Sequence, residues 1–190
     1  INNDTNHTGI TTILPHIGNM FIKKVVGSSY VYNGFGKSVG LIQVDELGSI
    51  ETPIVLTNTL CVGKISDALI DYMLVENPGI GRNTSTINPL VLECNDGSIN
   101  DIQNKVLTKE FLIESINDAK VDFLEGNIGA GSGMKCHGFK GGIGSSSRVV
   151  TINNNKYTIG VLVNSNFGSS NGKDLIINGR HMGPLIKNYN

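Results

Sequence analysis

The 190-residue chain is poor in charge and cysteine and carries no long apolar run. With 16% charged residues, a net charge of -1 and no cluster of Lys or Arg, it lacks the field that would hold a nucleic acid or an anionic membrane surface. Its cysteines, Cys61, Cys94 and Cys136, lie far apart and form no Cys-x-x-Cys pair. That spacing points neither to a disulfide framework nor to a zinc site, and it fits a reducing, cytoplasmic compartment. No stretch reaches the length of a membrane-spanning helix, and no charged-then-apolar leader stands at the front, where the chain begins with Ile1. His7, His16, His137 and His181 are isolated from one another and from acidic residues at ligand spacing, so none is assigned as a base or metal ligand. No metal or cofactor is called for, and the expected partner is a small molecule or another protein.

What the chain has in abundance is glycine, concentrated between Gly126 and Arg148. Glycine is needed where main chain must approach another group closely. At 39% apolar content and this length, the chain suits one domain, residues 1–190. Short β-like runs between Gly and Asn turns fill the first part, at 9–14, 20–26, 39–44, 53–57 and 89–92. Ile65, Ala68, Leu69, Tyr72 and Met73 recur at helical spacing with Asp67 and Asp71 opposite, which predicts an amphipathic helix ending before Asn77-Pro78-Gly79. Residues 78–88 read as an exposed loop, and Thr108 is the expected N-cap of a second helix reaching about Lys120. Residues 148–152 and 157–163, joined through Asn153, Asn154 and Asn155, read as a hairpin, followed by a strand at 174–177. Grouped strands with two inserted helices imply an α/β (α+β) domain of helices layered on sheets.

The glycine segment does not match the motifs that glycine most often serves. Neither Gly-x-Gly-x-x-Gly nor the P-loop pattern fits; Gly36-Lys37-Ser38 meets Val31 where the P-loop needs glycine. Ser132 is flanked two residues away by Ala130 and Met134, so the hydrolase elbow Gly-x-Ser-x-Gly fails too. The remaining polar constellation, Glu93-Cys94-Asn95-Asp96-Gly97, follows an apolar strand. It has two readings: carboxylate and amide groups facing a cleft at a strand end, or a turn in which Asn95, Asp96 and Gly97 cap the backbone while Glu93 is solvated. The glycine segment likewise reads either as part of a site or as a structural loop crossing a neighbouring strand.

Five ordered blocks, at 52–63, 93–102, 125–134, 138–148 and 160–168, together resemble the DmpA family of self-processing aminopeptidases, which includes D-aminopeptidases and β-peptidyl aminopeptidases. The resemblance implies a four-layer αββα sandwich completed by a separate β chain. The precursor would cut itself after Asn190, placing a serine nucleophile at the new β N-terminus and leaving this chain as the α subunit. Asn166 matches the family's oxyanion-stabilising asparagine, and Glu93 matches the acidic residue that holds the substrate's free amino group. Asn95 matches a position lining the oxyanion and substrate region, where some members carry Tyr. The segment 126–148 would line the substrate cleft and the self-cleavage site. Implied partners are the β chain, a short peptide or amino-acid amide, and further αβ units in a homotetramer of heterodimers. Two alternatives remain: acyl transfer of the ornithine-acetyltransferase type, with a threonine nucleophile, and a noncatalytic glycine-rich binding protein.

Overall fold

A computed structural model describes residues 1–187. Its centre is a three-stranded sheet of β1 (Thr11–Ile13), β2 (Ile54–Asn58) and β3 (Leu90–Cys94). β1 runs antiparallel to β2, with Thr12 opposite Val55, whereas β2 and β3 are parallel, from Ile54 opposite Leu90 to Asn58 opposite Cys94. Val39 extends the sheet by one antiparallel bridge to Val91.

A parallel pair requires a crossover, and helix α2 (Val62–Glu76) supplies it. Its Ile65, Ala68, Leu69 and Met73 are buried, as their spacing predicts. They form one core with Val55 and Val91 of the sheet and with Leu112 and Ile116 of α3 (Lys109–Asn117). Burying each large apolar side chain contributes about 1.5–3 kcal/mol, so this layer is the main source of the fold's stability. Asn58 makes the strand-to-helix turn: its Oδ1 accepts from the Cys61 N–H at 3.0 Å and its Nδ2 donates to the buried Thr8 hydroxyl at 2.8 Å. Thr108 takes the N-cap position of α3 without a side-chain capping bond, and the helix stops at Asn117, short of Lys120.

One expected strand is overturned. Residues 39–44 give only the Val39 bridge, after which α1 (Leu41–Leu47) forms a short helix bracketed by Gly40 and Gly48 at φ 93° and 63°. The left-handed Gly40 ends the extended run, and it is glycine because a Cβ there would collide with the Pro89 carbonyl oxygen. Of residues 20–26 only Val25–Val26 is strand, paired with Ser49–Ile50, and of 174–177 only Ile176–Ile177.

The hairpin is longer than expected: β4 (Ile143–Ile152) and β5 (Asn155–Asn164) pair over their whole length. Asn153 and Asn154 turn the chain at φ 48° and 64°, the positive values that a two-residue turn of matching twist needs. Register places Tyr157, Ile159, Val161 and Val163 on one face with Val150 and Ile152, and most of this face is exposed. The fold is therefore mixed α and β with one packed sheet and several two-stranded ladders. No helix among the described residues is long and apolar enough to cross a membrane.

Candidate active site

The C-terminal end of β3, the C-terminal end of β5 and the glycine segment converge. Glu93, half-buried at the end of β3, accepts a short hydrogen bond from the Thr59 hydroxyl. Its own backbone N–H donates to the Ser38 hydroxyl at 3.3 Å, and Gly36 lies beside its carboxylate, where a Cβ would sit 3.6 Å from Oε1. Glu93 is thus oriented by neighbours and not simply solvated.

Cys94 follows, with its thiol directed at the Asn164 carbonyl of β5 at 3.9 Å. Burial, reinforced by the Glu93 and Asp96 carboxylates, pushes the thiol pKa up to about 11, so it stays protonated and unreactive near neutrality. Asn95 is exposed, and its side chain accepts from the Gly97 N–H at 2.9 Å, which is the turn-capping geometry. Asp96 is buried, with Oδ1 bonded to Asn100 at 3.1 Å and Oδ2 without a hydrogen-bond partner. Burial raises the Asp96 pKa, opposed in part by the Thr8 and Asn100 side chains beside it.

Asn166 reaches this strand end from the other side. Its Nδ2 lies 2.6 Å from the Asn95 carbonyl and 3.1 Å from the Met134 sulfur. The nitrogen must face the carbonyl, since two acceptor oxygens would repel. One N–H is therefore committed to a strong acceptor and the other to a thioether, a weak one. Asn95 and Asn166 are thus brought into direct contact through the Asn95 main chain and not its side chain. Glu93, two residues earlier, is held by the separate Thr59 and Ser38 set. Asn190 lies outside the described residues.

The glycine segment packs main chain against main chain. A Cβ on Gly131 would come 2.6 Å from the Ile143 nitrogen, and one on Gly133 would overlap the His7 carbonyl. Lys140 ties the segment across itself, donating to the carbonyls of Gly131 at 2.9 Å and Gly141 at 2.7 Å. Desolvation lowers its pKa. The close-crossing reading of these glycines is what the packing displays, and it delivers Met134 to the underside of Asn166. Sequence reasoning missed Thr59, Ser38 and Met134. Thr59 and Met134 stand inside the motif blocks, but nothing in their spacing tells which neighbour they meet. No group of His, Cys, Asp and Glu among the described residues is placed to hold a metal ion.

The chain and its fold have counterparts in known proteins. The family model described as peptidase family S58 matches residues 1–190. A β-peptidyl aminopeptidase from Sphingosinicella xenopeptidilytica is 39% identical over 181 residues, covering 95% of this chain and 44% of the relative. Among solved structures, a protein from Pyrococcus horikoshii OT3 matches with a TM-score of 0.93 and 52% identity, over 97% of this chain and 52% of that one. An L-aminopeptidase D-Ala-esterase/amidase from Ochrobactrum anthropi, described as a variant of the Ntn hydrolase fold, matches with a TM-score of 0.80 and 28% identity over 97% of this chain and 57% of its own. The chain thus spans about half the length of the relatives it matches.

Proposed function

The chain belongs to peptidase family S58, and from that premise we propose that it is the α subunit of an aminopeptidase that releases N-terminal amino acids from short peptides or amino-acid amides. In this reading the nucleophile is a serine at the N-terminus of a β chain, freed when a single precursor is cut after Asn190. The serine's own α-amine, with an unperturbed pKa of about 8, takes the proton from Oγ as Oγ bonds to the substrate carbonyl carbon. The C=O electron pair moves onto oxygen. Collapse of this oxyanion breaks the C–N bond, and the leaving amine takes the proton from the ammonium. Water then repeats the attack, breaks the Oγ–C bond and restores the hydroxyl.

This chain supplies the groups that recognise charge. Glu93 binds the substrate's ammonium through a charge-assisted hydrogen bond, which makes the activity an aminopeptidase activity. Asn166 donates to the developing oxyanion. The observation that carries this reading is the Asn166 amide: the Asn95 carbonyl orients it, while its second N–H faces only a weak acceptor that an oxyanion can displace. Asn95 therefore acts through its main chain at the edge of the oxyanion region, and residues 126–148 wall the cleft and the self-cleavage point. The exposed apolar face of β5 supports a four-layer αββα arrangement in which the β chain lays a second sheet on the hairpin. Such αβ units would associate as a homotetramer, acting on small substrates in the cytoplasm.

The test is the full-length precursor. Replacing the serine after the cut by Ala should leave one uncut polypeptide, and two chains appearing anyway would sink the mechanism. In processed enzyme, Asn166→Ala should lower kcat about 100- to 1000-fold. Glu93→Gln should raise KM for free-amine substrates about tenfold or more while leaving thermal stability near wild type.

A further inference from the structure

Asn166 is the last residue before a segment that is gripped from two directions. Just before it, the Ser165 N–H donates to the Gly142 carbonyl at 2.9 Å, fixing that side to the glycine segment. Just after it, His137 adopts φ 50° and donates its backbone N–H to the Phe167 carbonyl at 2.6 Å. The His137 ring meets the Phe167 ring edge-on with centroids 5.7 Å apart. It also covers Gly168, at φ 87°, where a Cβ would come within 2.6 Å of the ring Cε1. Asp174 completes the grip, its Oδ2 accepting from the Ser169 N–H at 2.8 Å and its Oδ1 from the Ser169 hydroxyl at 2.7 Å and His137 Nδ1 at 3.1 Å. A carboxylate can only accept, so Nδ1 carries the proton in this contact. The bonds from the Ser169 backbone and hydroxyl, then from His137, hold the Asp174 carboxyl well below the usual carboxylate range.

We propose that His137 and Asp174 are positioning residues: they form a clasp on residues 167–169 that fixes the direction of the Asn166 amide. The inference rests on the oxyanion reading of Asn166. The amide's own anchors are one hydrogen bond to the Asn95 carbonyl and a weak one to the Met134 sulfur, too little to hold a donor against rotation of the backbone that carries it. The clasp removes that freedom from the C-terminal side, as the Gly142 bond does from the N-terminal side. Displacements near 1 Å at a reacting group can cost about 100-fold in rate, so a clasp that never touches substrate can still govern turnover.

The experiment compares kcat and KM of the full-length processed enzyme with whichever of L-alanyl and β-alanyl p-nitroanilide the wild type turns over. Asp174→Ala and His137→Ala should each lower kcat at least tenfold with KM within twofold of wild type. His137→Asn should recover kcat to within about threefold, because asparagine tolerates the positive φ and places an amide nitrogen where Nδ1 stood. Introduced into Asn166→Ala, Asp174→Ala should cost nothing further. An unchanged kcat in Asp174→Ala, an equal additional loss in the Asn166→Ala background, or a change in KM alone would overturn the clasp. If Asn166→Ala itself keeps full kcat, the oxyanion reading falls and the clasp with it; if Asn166→Ala is crippled while Asp174→Ala is silent, only the clasp falls. For any variant that accumulates as precursor, the rate of self-cutting is compared in the same way.

Discussion

The sheet of β1, β2 and β3 and the hairpin of β4 and β5 are both β-structure, yet one is covered and the other bare. Val55 and Val91 in the sheet are fully buried under α2, and Leu69, Leu112 and Ile116 close over them. On the hairpin, Ile159 and Val161 keep about half their surface exposed although they alternate as regularly as any core strand. Alternation records which face a strand means to bury; it does not tell whether the cover belongs to the same segment. The hairpin carries the alternation of a covered strand pair on a face that is exposed here, and its register is set by the turn at Asn153 and Asn154.

Four measurements on the full-length protein would break or sharpen that contrast. Leu69→Ala should cost about 2–5 kcal/mol in chemical denaturation, since it opens a cavity in the packed layer. Ile159→Ala should cost about 2–3 kcal/mol if the second half of the protein covers the hairpin. A loss below about 0.5 kcal/mol would instead place that face in solvent. Glu51 gives a pH-dependent contrast, because it is buried at the margin of the packed layer, bonded to Lys24 at 2.6 Å and to the Asn88 backbone at 2.8 Å. Burial alone would raise its pKa, but the Lys24 and Asn88 bonds outweigh it and leave the carboxyl below its ordinary 4.5. Its contribution is therefore complete above that value and is lost as pH falls through the lower folded pKa. Glu51→Gln should cost about 1.5 kcal/mol near neutrality and flatten the acid limb of the stability profile; an unchanged acid limb would assign it to other carboxylates. Smallest, Asn154→Ala should cost about 1 kcal/mol through its positive φ, whereas Asn154→Gly should be close to neutral.

Much of this architecture was legible because local rules and tertiary packing agree. The stripe of Ile65, Leu69 and Met73 has no competing interpretation, and Asn153-Asn154 is a turn in almost any context. Residues 39–44 misled because their composition suits a strand, while the decisive fact is the left-handed Gly40 pressed against Pro89, a contact far away in sequence. At the candidate site, the position of Glu93 at a strand end could be read, and the turn capped by Asn95 had been one of two open readings. The bond from Asn166 to the Asn95 carbonyl could not, since no side-chain pattern encodes a partner that is main chain. In the sequence His137 reads as an isolated histidine; Asp174, its partner, lies 37 residues on.

The parallel pairing of β2 with β3 bears on how the chain reaches this state. Each rung of the hairpin grows from a two-residue turn, and such ladders form in about 1–10 μs. Ile54 cannot meet Leu90 until α2 and the loop after it have been gathered in, so that contact is bought only after a long closure. The transition state for folding should accordingly be organised around Val55, Leu69 and Val91, with mutations there slowing folding and mutations in the hairpin chiefly speeding unfolding. The quickest part of the molecule to form is then the part that does least to set its rate.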